Sequence, residues 1–266
     1  MSSIIEKFNR RADVINSLLC IGLDTSYDRL PEKYLNEEFP QAAFNIDIIN
    51  TTHEYAAVYK PNIAFYEDQG EAGWQNLRHT MEYLQTHHPD IVTICDAKRG
   101  DIGSTNEAYV HAIFDDLGFD AITLHPYVGS DALSPFLQRA DKACIMLCRT
   151  SNPGSGEIQD LHVAGKPLWL TIAETVASDW NENNNCMLVV GATYPNEMRQ
   201  VRECIGEMPL LVPGIGAQGG NLEQTVRAGL NQDGKGIIIN SSRGIIYSPD
   251  PAKSAQELRD AINIYR

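Results

Sequence analysis

Asp96, Lys98 and Asp101 follow closely in the stretch VTICDAKRGDIGST, residues 92–105, at the end of an apolar run. A lysine flanked by carboxylates is held as an ammonium, a fixed cation able to give up a proton. On a strand, Asp96 and Lys98 are two positions apart and project to the same face. Asp101 falls just beyond, on the turn into a helix, so Lys98 is expected to sit between carboxylates. Asp24 and Lys60 close two earlier apolar runs and could extend an alternating charged array. A structural ion-pair network is the plainer reading of Asp-x-Lys-x-x-Asp alone. With Lys60 and Asp24 added, catalysis is the better one.

A second constellation joins PGIGAQGG (213–220) to SSRG (241–244). Glycines let backbone N–H groups approach an anion, and Asn221 opens a helix whose N-terminal dipole favours negative charge. Arg243 is a two-pronged donor suited to phosphate. Either loop alone reads as tight turns; the pair reads as a phosphate site. Other residues are plainer. His125 ends a run before Pro126 and suits a structural hydrogen bond as well as a pocket. His87 and His88 mark a solvated helix end, and Tyr55, Tyr59, Phe65 and Tyr66 read as core or interface.

Eight short apolar runs must position these groups: 18–24, 56–62, 91–98, 120–126, 143–150, 187–193, 209–215 and 236–242. They are near-continuously apolar, as strands buried on both faces are. Helical periodicity fills the spaces between them, at 42–55, 74–88, 105–118, 168–180, 196–206 and 221–230, more weakly at 131–138, with a closing helix at 251–265. Ser104 or Thr105 and Asn221 are candidate N-caps, and Gly118 and Gly229 candidate helix ends. Strand then helix, eight times over, predicts an α/β chain folded as a (β/α)8 TIM barrel, one domain over residues 1–266 with a short N-terminal helical extension. An open doubly wound sheet would fit the alternation, but no Gly-x-Gly-x-x-Gly turn follows the first strand. Residues 150–167 read as a long loop rich in glycine and proline, of a length common in lids. In such barrels the site forms at the C-terminal strand ends, and loops seven and eight bind phosphate, which is where the charged residues and glycine loops fall.

Lys plus Arg number 21 and Asp plus Glu 35, a formal net charge of −14. That balance argues against nucleic acid or an anionic membrane as partner, though not against a small anion in a locally positive pocket. No apolar run is long enough to span a bilayer, and the first twenty residues do not read as a signal peptide. The six cysteines include no Cys-x-x-Cys pair and mostly lie in or beside apolar segments, so they read as reduced core residues of a cytoplasmic protein. No closely spaced His and Cys set suggests zinc.

DAKRGDIGST, with GLD, KPN, TSNPG, VVGAT, PGIGAQGG and SSRGI along essentially the whole chain, resembles the orotidine 5′-phosphate decarboxylase family in the form often called type 2 in bacteria. The resemblance implies conversion of orotidine 5′-phosphate to uridine 5′-phosphate in pyrimidine synthesis, without metal or organic cofactor, by a homodimer. It assigns Lys98 as proton donor to pyrimidine C6 and Asp96 as the carboxylate beside the leaving carboxylate. Lys60 and Asp24 become ribose contacts that extend the array. Asp101 and Thr105 reach the neighbouring subunit's site, Ser151 contacts the pyrimidine, and Gln218 and Arg243 hold phosphate. Ile102 and Ser242 join the substrate-binding set. A related barrel family shares Asp-x-Lys-x-x-Asp but uses magnesium, with an acid where Lys60 stands. A non-catalytic phosphate sensor would keep Arg243 and the glycines and have no use for Lys98.

Overall fold

The computed structural model describes residues 3–215 and 219–266. Eight parallel strands close into a barrel: β1 (Leu19–Gly22), β2 (Val58–Lys60), β3 (Val92–Arg99), β4 (Ala121–Leu124), β5 (Ala143–Arg149), β6 (Cys186–Val190), β7 (Leu210–Pro213) and β8 (Ile237–Ser241). Each pairs with the next, and β8 returns to β1 through Leu19 opposite Ile239. All eight expected runs become strands. Their side chains are buried along most of their length, because one face fills the barrel and the other meets the helical shell.

Helices Pro40–Thr52, Gly70–His87, Ser104–Val110, Gly129–Leu137, Leu168–Thr175, Pro195–Ile205, Leu222–Gly229 and Pro251–Asn263 form most of that shell. Asn221 caps its helix as expected, accepting from Gln224 N at 2.9 Å. The helix expected from Thr105 starts differently: Gly103 occupies the cap with no side-chain bond, and the helix ends in a π-type turn, His111–Asp116. Residues 150–167 are not a bare loop. They hold a short helix, Gly156–Gln159, and a hairpin pairing His162–Val163 with Lys166–Pro167.

The N-terminal helix, Ile4–Ile15, begins with a reciprocal Ser3–Glu6 capping box. It crosses the strands' N-terminal ends. Lys7 pairs with Asp120 at 2.8 Å, just before β4, and Arg11 with Asp90 at 2.7 Å, just before β3. Ile4, Phe8 and Ala12 face the core at helical spacing. All six cysteines are free thiols, five of them buried. Among the described residues no helix is long and apolar enough to cross a membrane.

Phe8 is fully buried. Phe8→Ala should lower the unfolding free energy by about 3–5 kcal/mol through lost transfer energy and a cavity. Chemical denaturation measures this, and an unchanged midpoint would mean that the helix does not seal the barrel.

Candidate active site

Four charged side chains alternate in sign across the C-terminal ends of β1, β2 and β3. Lys60 Nζ lies 3.8 Å from Asp24 Oδ1 and 2.9 Å from Asp96 Oδ2, while Lys98 Nζ lies 2.5 Å from Asp96 Oδ1. Parallel register brings them level: Gly22 stands opposite Lys60, and Asn62 bridges to Asp96. Lys60 is only 3% exposed. Burial by itself would pull its ammonium down; Asp24 and Asp96 outweigh that and hold it above the ordinary lysine value. For Asp96, burial pushes the carboxyl up, and Lys60 with Lys98 overcomes it, keeping the group well below the usual carboxylate range.

Asp96 and Lys98 do meet, but not across a flat pleat. Cys95 pairs with Ile122 and Arg99 with Leu124, so residues 96–98 bulge opposite Thr123 alone. Lys98 takes a left-handed backbone, φ +47°, and its side chain is half exposed at the mouth. Arg99 is not part of the array; it pairs with Glu67 and lies over Tyr109.

A cavity of about 580 Å³ opens over these groups. Asp24, Lys60, Asp96, Lys98, Ser151, Ser242 and Arg243 all line it, as the sequence led us to expect. Leu147, Val189, Leu211 and Ile215 supply an apolar wall. Two glycines let its rim close up. A Cβ on Gly22 would fall 1.9 Å from Ser242 Oγ, and one on Gly191 would fall 2.7 Å from Ser151 Cβ. Arg243 is exposed at the rim, and its guanidinium makes no hydrogen bond among the described residues.

Three expected residues are not brought to this cavity within the chain. Asp101, Ile102 and Thr105 are exposed beyond it. Lys98 therefore does not sit between two carboxylates of its own chain. Gly100 and Gly103 turn the backbone away after β3. Asn106 then holds the loop, accepting from Asp101 N at 3.0 Å and donating to Asp101 O and Ala132 O, while Asp101 Oδ1 accepts from Ile102 N at 2.7 Å. Gln218 lies outside the described residues. His125 takes the structural role: its Nε2 lies 2.9 Å from Gly100 O.

Thr123, Asn240 and Gln159, which sequence reasoning missed, also line the cavity, as do Thr150 and Asn152 on either side of Ser151 after β5. Thr123 was detectable as a polar residue inside an apolar run, and Asn240 as the first of three polar residues closing one. Gln159 depends on how the 150–167 segment folds. Arg149, buried, ties that segment down through Ser155 Oγ at 3.1 Å and Asp160 at 3.1 Å, and Gln159 accepts from Thr150 N at 2.9 Å.

A closed parallel barrel with a charged cavity at its C-terminal strand ends belongs to the class in which strand-end side chains perform the chemistry. Within that class, the chain belongs to the orotidine 5′-phosphate decarboxylase / HUMPS family, whose model matches residues 17–258. The orotidine 5′-phosphate decarboxylase of Herpetosiphon aurantiacus is 49% identical over 256 residues, covering 96% of this chain and 93% of its own. The Leishmania donovani OMP decarboxylase structure superposes with a TM-score of 0.89 at 40% identity, covering 99% of this chain and 98% of that one. Leishmania donovani UMP synthase gives a TM-score of 0.92 at 42% identity; this chain spans 57% of that longer one.

Because folding favours ionised Asp96, its stabilising contribution is present above the ordinary carboxylate value of 3.8 and is lost as pH falls below it. On acidification below about pH 4, wild-type unfolding free energy should drop more steeply than that of Asp96→Asn. Parallel curves from denaturation at stepped pH would contradict the linkage.

Proposed function

We propose that this chain is an orotidine 5′-phosphate decarboxylase, forming uridine 5′-phosphate and CO2 in pyrimidine synthesis. The observation that carries the reading is the alternating row Asp24, Lys60, Asp96, Lys98 at the mouth of the barrel. The bond from C6 to the carboxylate breaks and leaves its electron pair on C6. The ammonium of Lys98, already in place, stabilises that charge and then passes a proton to C6, becoming a neutral amine. Asp96, kept ionised by two lysines, orients Lys98 and sets a fixed negative charge beside the departing carboxylate. Asp24 Oδ1 is buried and accepts no hydrogen bond, an acceptor suited to a ribose hydroxyl beside Lys60. Ser151 contacts the pyrimidine. Ser242, Arg243 and Gln218 hold the phosphate, whose binding energy is spent at a reacting carbon some distance away.

Asp101 and Thr105 act in trans in this reading: a second copy of the chain docks on this rim and receives them in its own site. Their exposure supports it, as do the bare Ile102, 65% exposed, and Tyr127, 92% exposed, on adjacent loops. We place the enzyme in the cytoplasm, in keeping with its free thiols. The barrel works as one catalytic unit, without metal or organic cofactor. The cation at Lys60 stands where the magnesium-dependent relatives carry an acid, and it would repel a metal ion there.

Lys98→Ala should lose nearly all turnover in the absorbance assay with orotidine 5′-phosphate while still binding uridine 5′-phosphate, whereas Arg243→Ala should mainly raise KM. Substantial turnover by the Lys98 variant contradicts the proton donor. Exhaustive EDTA treatment should leave the wild-type rate unchanged; loss of activity restored by magnesium would favour the metal-dependent chemistry.

A further inference from the structure

Thr123 is the single β4 residue opposite the three-residue bulge of β3, and it is 1% exposed. Its Oγ1 accepts from Lys98 N at 2.9 Å and donates to Asp96 Oδ1 at 3.0 Å. The same Oδ1 accepts from Lys98 Nζ at 2.5 Å. The contacts therefore form a closed ring: Lys98 N–H to the Thr123 hydroxyl, that hydroxyl to Asp96, and Asp96 back to the end of the Lys98 side chain. A left-handed backbone is costly for a lysine and persists only where its surroundings hold it. Inside a bulge the ladder provides no acceptor for the Lys98 amide, and the Thr123 oxygen provides it. Accepting that bond leaves the hydroxyl proton free for Asp96, so one side chain sets both the backbone of Lys98 and the rotation of its carboxylate partner.

Resting on the decarboxylase reading, we infer that Thr123 is a positioning residue for the reaction: its hydroxyl, not its bulk, holds Lys98 and Asp96 in the arrangement that the proton transfer needs. The methyl group and the hydroxyl can be separated by two pairs of variants. Thr123→Val keeps the shape and removes the hydroxyl. Thr123→Ser and Thr123→Ala both lack the methyl and differ from each other only in the hydroxyl, so they carry the comparison even where Thr123→Val fails to fold.

The test measures kcat and KM for orotidine 5′-phosphate, the Kd of uridine 5′-phosphate, and hydrogen exchange at the Lys98 amide, all on the full chain. Thr123→Val and Thr123→Ala should lose kcat by about tenfold to a hundredfold, the worth of one hydrogen bond to a charged group. Their KM and product affinity should stay near wild type, and Thr123→Ser should recover most of kcat. Amide exchange at Lys98 should speed up in Val and Ala and stay slow in Ser. Equal kcat for Ser and Ala would overturn the inference, as would a Val or Ala loss shared equally by kcat and product affinity. An inactive wild type would sink the decarboxylase reading instead, and the exchange rates would still decide the clamp: equal protection in all variants would refute it.

Discussion

Everything at the mouth of this barrel depends on burying Lys60. An ammonium almost out of water is tolerable only when paired, and one partner does not suffice for a side chain this deep. The partners come from the two flanking strands. Asp24 follows β1, Asp96 lies on β3, and parallel register sets both level with the end of β2. Once Asp96 is committed to Lys60 through one oxygen, its other oxygen is free to hold Lys98. The buried cation thus orients the exposed one without touching it.

Much of this could be read in the sequence, and for a definite reason. Strands buried on both faces must be apolar throughout, so a charged residue in such a run can only sit at its end. That rule places Asp24, Lys60 and Asp96 at strand ends from the sequence alone. Lys98 followed the rule in part: its side chain does meet Asp96, but through a bulge and a left-handed residue. Nothing in the local sequence signals that a lysine will adopt φ +47°, because the conformation is imposed by pairing with β4.

The misplacement of Asp101 has a related cause. Spacing along a strand sets direction only while the strand lasts, and Gly100 ends that regularity. The Asn106 clamp then fixes the loop from five residues beyond Asp101, through bonds to the backbone that no side-chain pattern reveals. Residues 150–167 were obscure for a similar reason. Their order comes from buried Arg149, reaching forward to Ser155 and Asp160 and stacking on Tyr194 at 3.9 Å, and hence from a charge that reads in sequence as one more strand-end residue.

The residue at the end of β2 also separates two chemistries open to one barrel. With an acid there, Asp24, Asp96 and that acid would form a cluster of negative charge that asks for a metal. With Lys60 there, the same carboxylates are already neutralised in part. Two unit charges 4 Å apart interact by about 4 kcal/mol at the effective dielectric of a partly buried site. A divalent ion seated beside Lys60 would meet about twice that in repulsion, while its would-be ligands are engaged with lysines. In the proposed decarboxylation the electron pair stays on C6 beside the fixed Lys98 ammonium, and no such ion is needed. One cation in place of one anion at a single strand end therefore disfavours a metal ion there, with the barrel around it left as it was.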